Sequence, residues 1–196
     1  MKSKKWIQRN SKDPYVLKAK KAGYFSRSAF KLLEIENKFH LILKSKNILE
    51  LGSAPGGWSQ VICELNKRSK IDAFDLLAMK FKHENINFFK QDFFKFNFKS
   101  LNKKYNLILS DMAPNTTGHQ STDHLKISSI IQDVISILRN ISSPNSNFVF
   151  KIWKGSEEKN IIYQLKKLYK KVSYCKPRSS RDESSEIFIV AENFIV

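Results

Sequence analysis

Cysteine is scarce in this sequence, which excludes a small domain held together by several disulfides or by a zinc ion with cysteine ligands. Cys63 and Cys175 are the only cysteines in 196 residues, and neither belongs to a Cys-x-x-Cys pair. A disulfide framework or a cysteine-based zinc site needs more thiols at closer spacing. The histidines also lack the spacing of metal ligands, so we expect no metal site. There are four of them: His40, His83, His119 and His124.

Long hydrophobic runs are missing as well. No segment approaches the roughly 18 apolar residues that cross a bilayer. The first residues, MKSKKWIQRNSKDPY, lack the apolar segment of a signal peptide. We therefore expect a cytoplasmic protein without membrane contact. A chain of 196 residues with neither repeats nor a long linker is typical of one domain, and we expect it to be a monomer.

Acidic residues are few, with 18 against 35 Lys and Arg, which gives a net charge of +17 and a pI near 9.8. Such an excess attracts polyanions, nucleic acid above all. It is equally compatible with surface lysines that only contact water. Residues 1–23 concentrate this charge, and we interpret them as a partly helical, weakly packed basic arm before the domain of residues 24–196. Trp6 and Tyr15 in this arm either stack on bases or anchor it to the core.

Residues 24–196 alternate between strand-like and helix-like patterns, which predicts a doubly wound, mostly parallel sheet with helices on both faces, a Rossmann-like α/β fold. The last two strands are too close in sequence for a parallel crossover, so at least one is antiparallel, and we assign this direction to the last. Seven strands are predicted, over 46–51, 71–75, 86–89, 105–111, 148–152, 172–175 and 186–191. Helices are predicted over about 27–40, 58–68, 123–141 and 157–169.

Two of these helices carry finer predictions. Ser26 or Ser28 can cap the first of them. In the third, an apolar stripe at helical spacing is expected to face the core. Its members are Leu125, Ile127, Ile130, Ile131, Val134, Ile135 and Leu138.

A glycine-rich turn joins the first strand to the next helix. The pattern Gly52-x-x-x-Gly56-Gly57 is neither the G-x-G-x-x-G dinucleotide fingerprint nor a P-loop. Asp75 ends the second strand 23 residues after Gly52, the usual position of an acid that binds ribose hydroxyls. S-adenosylmethionine fits this pattern, because it contains the ribose of an adenosine but no phosphates. The alternative is that Asp75 only caps a turn. Asp92, after the third strand, is the natural partner of the adenine amino group.

Two further strand ends carry charged residues. Asp111 follows the fourth strand and Lys151 lies at the end of the fifth. Ligands of open α/β sheets bind outside the carboxyl ends of the strands. Placement at these ends therefore favours a functional role for both residues.

Five segments together resemble one known family in order and spacing. They are Leu51–Gln60 (LGSAPGGWSQ), Asp75-Leu-Leu, Gln91-Asp-Phe, Ser110–Asn115 (SDMAPN) and Lys176-Pro-x-Ser-Ser-Arg181. The family is RrmJ/FtsJ, the 2′-O-ribose methyltransferases of bacterial large-subunit ribosomal RNA. The resemblance runs from about Ser26 to the C-terminus. It implies S-adenosylmethionine as cofactor and a uridine in the A-loop of 23S RNA, within the large ribosomal subunit, as target.

The resemblance also implies residue roles. Matched by motif, the family's catalytic tetrad falls on Lys31, Asp111, Lys151 and Glu186, with Lys151 the candidate proton acceptor. Judged alone, Lys31 is typical of a surface helix lysine and Glu186 of an exposed strand start. Cofactor contacts are implied at Gly56, Trp58, Asp75, Asp92 and Asp111.

Some positions depart from the family pattern. Glu50 replaces a usual aspartate, Ala78 a proline and Lys154 a glutamine, and residues 182–185 replace a more basic stretch. An RNA-assembly factor that has lost catalysis is the alternative function, and the intact tetrad argues against it.

Overall fold

A computed structural model describes residues 11–98, 103–113, 120–155, 157–181 and 183–195. Within these ranges, the helices are α1 (Pro14–Lys21), α2 (Ser28–Phe39), α3 (Gly57–Leu65), α4 (Gln120–Ile141) and α5 (Glu158–Lys166). The strands are β1 (Asn47–Leu51), β2 (Lys70–Asp75), β3 (Ile86–Lys90), β4 (Tyr105–Ser110), β5 (Ser142–Trp153), β6 (Tyr169–Cys175) and β7 (Glu186–Phe194). A 3-10 turn covers Phe93–Lys95.

All seven strands form one sheet in the order β3-β2-β1-β4-β5-β7-β6. Strands β1 to β5 pair in parallel, whereas β7 runs antiparallel to both of its neighbours, β5 and β6. The predicted fold class, including the antiparallel last strand, is therefore confirmed. The strand order reverses direction between β1 and β4, which makes their carboxyl ends the topological switch point where ligands bind in such sheets.

Both faces of the sheet are buried, so the central strands are apolar almost throughout. Leu49 belongs to a core cluster with α4 and α5, whereas its neighbour Ile48 belongs to a second cluster with α2 and α3. The same alternation holds along β5, where Val149 and Phe150 pack on opposite faces. Helices α2 and α3 therefore cover one face and α4 and α5 the other.

Two local predictions were wrong. Neither serine caps α2, because Arg27 occupies the cap position without a side-chain hydrogen bond and the hydroxyls of Ser26 and Ser28 bond each other at 2.6 Å. Leu125 does not face the core and is 57% exposed. It lies two residues, or about 200°, from buried Ile127, which places it on the other side of α4.

The described part of the predicted arm contains a helix that contacts the domain. Asp13 caps α1 by accepting hydrogen bonds from the backbone N–H groups of Tyr15 and Val16. The Tyr15 ring lies 5.7 Å from that of Phe30 on α2, so this aromatic residue contacts the core. Trp6 and the rest of residues 1–10 lie outside the described residues. No helix in the described ranges is long and apolar enough to cross a membrane.

Candidate active site

A cavity of about 450 Å³ opens at the carboxyl ends of β1, β2 and β4, beside the switch point. Its walls combine acidic and apolar side chains. They include Asp75, Asp92, Asp111, Leu76, Leu77 and Phe94. Among the described residues that line it there is no Lys or Arg, although the whole chain carries +17. The cavity therefore favours a neutral or cationic ligand over a phosphate-bearing one.

The glycine turn after β1 forms one wall, and two of its residues have to be glycine. Gly52 has φ +76°, and a Cβ there would lie 2.9 Å from the backbone nitrogen of Met112. Gly56 has φ +113°, and its Cβ would lie 2.5 Å from the Cβ of Phe81. Positive φ is unstrained only in glycine, so the turn can come this close to its neighbours without strain.

Asp75 fixes the loops on both sides of the cavity. One carboxylate oxygen accepts the N–H of Ala54 and the other that of Leu77, each at 2.8 Å. Asp75 therefore does cap a turn. A carboxylate has about four acceptor sites, so Asp75 keeps capacity for ligand hydroxyls beyond these two bonds.

The other residues predicted to contact a cofactor divide into two groups. Asp92 lines the cavity and accepts the N–H of Phe94 at 3.0 Å, and Asp111 lines it as well. Gly56 does not line the cavity. Trp58 is 2% exposed, packs against Phe188 and donates its indole N–H to Ser28 O at 2.8 Å. The Trp58 side chain thus joins α3 to α2 in the core, and only its backbone remains for a cofactor contact.

The four residues of the predicted tetrad form two ion pairs. Lys151 Nζ donates to Asp111 Oδ1 at 2.8 Å and to the carbonyl oxygen of Asp111 at 2.7 Å. Lys31 Nζ lies 2.6 Å from Glu186 Oε1 and 2.7 Å from Oε2. The four side chains are between 8% and 18% exposed, so water screens the two pairs only weakly.

Strand register brings the two pairs to the same side of the sheet. Lys151 pairs with Phe188, and Trp153 pairs with Glu186. Cross-strand partners and alternate residues share a face, so Lys151 and Glu186 project together. Lys31 approaches from α2, with its ammonium 5.8 Å from the centre of the Phe188 ring.

A second cavity, of about 240 Å³, adjoins the Lys31–Glu186 pair. Arg27, Arg181, Glu183 and Ser184 complete its lining. Sequence reasoning assigned Arg27 no role, because an arginine before a helix resembles an ordinary surface residue. Arg181 entered only as part of a family motif. Unlike the first cavity, this one is lined by three cationic side chains, those of Arg27, Lys31 and Arg181.

Glu50 is the other feature that the sequence did not reveal. Glu50 is 1% exposed, and its carboxyl group accepts a hydrogen bond from the Ser59 hydroxyl. Burial above all, followed by the negative charges of Asp111 and Asp75, raises the pKa of Glu50 to about 8 despite the hydrogen bond from Ser59. Glu50 is therefore mostly neutral at pH 7.

The described residues contain no cluster of three or more His, Cys, Asp or Glu that could hold a metal ion.

The fold and this site define an α/β domain of the methyltransferase type. Residues 24–194 match the model of the FtsJ-like methyltransferases, and the chain belongs to that family. It is 40% identical to the ribosomal RNA large subunit methyltransferase E of Azorhizobium caulinodans, over 98% of this chain and 83% of the relative. It is 39% identical to the protein of the same name from Rickettsia canadensis, over 97% and 88%.

Solved structures agree on the fold. A chain assigned as a ribosomal RNA methyltransferase from Plasmodium falciparum superposes with a TM-score of 0.77 at 30% identity, over 87% of this chain and 98% of that one. Human methyltransferase-like protein 13, in complex with SAH, has a TM-score of 0.57 at 14% identity, over 84% and 79%. The latter likeness concerns the fold alone.

Proposed function

We propose that this protein transfers a methyl group from S-adenosylmethionine to a ribose 2′-hydroxyl of large-subunit ribosomal RNA, with a uridine of the 23S A-loop as its target. The observation that carries the proposal is the pair of ion pairs, Lys151–Asp111 and Lys31–Glu186, on one face of the sheet. Asp111 belongs to both the pairs and the wall of the first cavity. The names of the relatives support ribosomal RNA as substrate.

The first cavity suits this cofactor. Asp75 binds the ribose hydroxyls and Asp92 the adenine amino group, while exposed Leu76 and Leu77 offer apolar surface to the base. Asp111 lies between this cavity and Lys151, where its charge complements a sulfonium cation. S-adenosylmethionine supplies a methyl group on a good leaving group, and it needs no phosphate site.

In the proposed reaction, Lys151 accepts the proton of the ribose hydroxyl. To act as a base, Lys151 must first release one proton of its ammonium group to solvent, and the neutral amine that results has two N–H groups and one lone pair. Asp111 offers two acceptors, its carbonyl oxygen and Oδ1, to Lys151 Nζ. Once both N–H groups are bound there, the lone pair points away from Asp111 and is available to the hydroxyl. Asp111 thus orients the base, and Glu186 holds Lys31 beside the acceptor.

The cofactor assignment predicts a loss of affinity in Asp75→Ala. Without hydrogen bonds from the ribose to a charged acceptor, S-adenosylmethionine binding should weaken by about 1–3 kcal/mol. Titration calorimetry measures this directly. Because Asp75 also holds the loops at Ala54 and Leu77, the comparison needs a second ligand. With a cofactor analogue lacking both ribose hydroxyls, wild type and Asp75→Ala should bind with nearly equal affinity. An equal loss with both ligands would assign Asp75 to loop structure alone.

The proposed reaction is tested with labelled cofactor and large ribosomal subunits from cells that lack the protein. We expect label in the large-subunit RNA, and mapping should locate it as a 2′-O-methyl group at one nucleotide. Lys151→Ala, with cofactor affinity retained, is the matched control and should transfer almost nothing. Methylation of a base instead of a ribose would refute the proposed acceptor. RNA binding without any transfer by the wild type would favour the assembly-factor alternative.

A further inference from the structure

Asp13 is a buried acid near the second cavity that has no part in the tetrad. Its side chain is only 5% exposed. Oδ1 accepts the N–H groups of Tyr15 and Val16 at 3.0 and 3.3 Å and so caps α1. Oδ2 accepts hydrogen bonds from two guanidinium groups, those of Arg27 and Arg181. One carboxylate therefore joins the first helix to both arginines.

The two arginines belong to segments that also carry tetrad residues. Arg27 precedes Lys31 by one helical turn, and Arg181 lies between β6 and β7, five residues before Glu186. Arg27 also donates to the carbonyl oxygen of Ser179 in this segment. The next residue, Ser180, donates its hydroxyl to Glu186 Oε1 at 2.8 Å. Hydrogen bonds, together with the peptide link between Ser179 and Ser180, therefore connect Asp13 to the Lys31–Glu186 pair.

Asp13 makes it possible for two guanidinium groups to share one wall. Both guanidinium groups bind the same carboxylate oxygen, so they lie close enough to repel each other. The negative charge of Asp13 between them offsets this repulsion. Burial would raise the pKa of Asp13, but the hydrogen bond from Arg181 and the charges of Arg27 and Arg181 outweigh burial and hold it below its usual value. The carboxylate is therefore charged at neutral pH.

The arginines differ in what they leave free for a ligand. Arg27 is only 16% exposed, donates to Asp13 and Ser179 and buries its Nε, so its remaining donors are less accessible to a ligand than those of Arg181. Arg181 is 27% exposed and uses its Nε and Nη2 on Asp13 at 3.1 and 2.9 Å. A guanidinium has five N–H donors, so Arg181 keeps donors for a further acceptor. Both arginines line the second cavity next to Lys31 and Glu186.

We propose that Asp13 is a positioning residue for the RNA acceptor: it orients Arg181, with Arg27 as support, so that the free guanidinium edge binds a phosphate next to the methylated nucleotide. This inference rests on the proposed function. Arginine binds phosphate through paired N–H donors, and phosphate contacts set the register of a nucleic acid on a protein. A misplaced Arg181 therefore weakens RNA binding without altering the cofactor cavity.

Asp13→Asn is the most informative variant, because asparagine caps helices about as well as aspartate. The change keeps the cap of α1 and removes the charge between the arginines. We expect KM for the large ribosomal subunit to rise on the order of 10- to 100-fold, the range for hydrogen bonds between charged groups. Cofactor affinity should stay unchanged and kcat should change less than about threefold. Asp133→Asn, which removes an exposed acid on α4, is the matched control and should behave as wild type.

A double-mutant cycle separates positioning from a merely structural role. If Asp13 acts through Arg181, adding Asp13→Asn to Arg181→Ala should raise KM little further. Additive effects, or an unchanged KM in Asp13→Asn, would refute the proposal. If Asp13→Asn fails to fold, Arg181→Lys provides the test, since it keeps the charge but loses the paired donors. It must raise KM at normal cofactor affinity, and a wild-type KM would refute the phosphate contact.

The wild type serves as the internal reference for the proposed function. If it transfers no methyl group to the subunit in this assay, the proposed function fails. Direct RNA-binding measurements on the same variants then still test whether Asp13 and Arg181 act as a unit.

Discussion

Replacing Lys151 with alanine or arginine is expected to reduce methyl transfer by a factor on the order of 10²–10⁴, the usual contribution of a general base. Alanine removes the amine altogether. Arginine keeps a positive charge within reach of Asp111 but does not release its proton at neutral pH. Both variants should bind S-adenosylmethionine nearly as the wild type does, because Lys151 does not line the first cavity.

The geometry explains why the arginine variant is informative. Lys151 Nζ has two acceptors on Asp111, at 2.7 and 2.8 Å. A guanidinium can replace these two hydrogen bonds and preserve the ion pair, but it has no lone pair for a hydroxyl proton. Loss of transfer in both variants thus supports proton acceptance by Lys151. The larger arginine side chain can also displace the acceptor and so abolish transfer by itself. The more informative result is therefore retained transfer by Lys151→Arg.

Single-turnover transfer to intact large ribosomal subunits is the measurement, with calorimetry as the check on cofactor binding. Lys154→Arg is the matched control, since it makes the same exchange three residues beyond Lys151 at a position outside the tetrad. Near-normal transfer by Lys151→Arg would show that residue 151 need not lose a proton. Alignment and electrostatics would then account for the catalysis.

Local patterns in the sequence were enough to predict the sheet and the acidic residues of the first cavity. Buried strands are apolar, helices repeat about every 3.6 residues, and ligand-binding residues follow strands in open α/β sheets. Asp75, Asp92 and Asp111 could therefore be singled out from strand ends alone, and all three line the first cavity.

The other half of the tetrad depends on contacts between distant segments. Lys31 and Glu186 are separated by 155 positions, yet their side chains bond at 2.7 Å. Their meeting requires both the pairing of β7 with β5 and the packing of α2 on that face. Neither is encoded in the residues next to Lys31, so only the family resemblance singled it out.

Asp13 and Glu50 illustrate what even the resemblance did not provide. Asp13 belonged to a segment interpreted as a weakly packed arm, although it is only 7% exposed in the structure. Glu50 was noted only as a departure from the family pattern. Its neutral state follows from complete burial near two other acids, and such an environment exists only once β1 and α3 are packed together.

Glu50 should make the folded state lose stability as the pH rises. Its pKa is about 8 in the folded protein against an ordinary value of 4.5. Between these two values the folded protein binds a proton that the unfolded chain has already lost. The free energy of unfolding therefore falls with rising pH, by at most about 1.4 kcal/mol per pH unit from this group. The contribution of Glu50 levels off above about pH 8, where the folded protein loses the proton as well.

Glu50→Gln is expected to remove this dependence, because glutamine stays neutral and its carbonyl oxygen can still accept the hydroxyl of Ser59. Urea unfolding of both proteins at pH 5.5, 6.5 and 7.5 measures the difference. The unfolding free energy of Glu50→Gln minus that of the wild type should increase with pH, by a few kcal/mol over the series. Glu84→Gln, which removes an exposed carboxylate, should leave the pH dependence unchanged. Parallel curves for wild type and Glu50→Gln would mean that Glu50 is already ionised in the folded protein, and its assignment as a neutral buried acid would then be wrong.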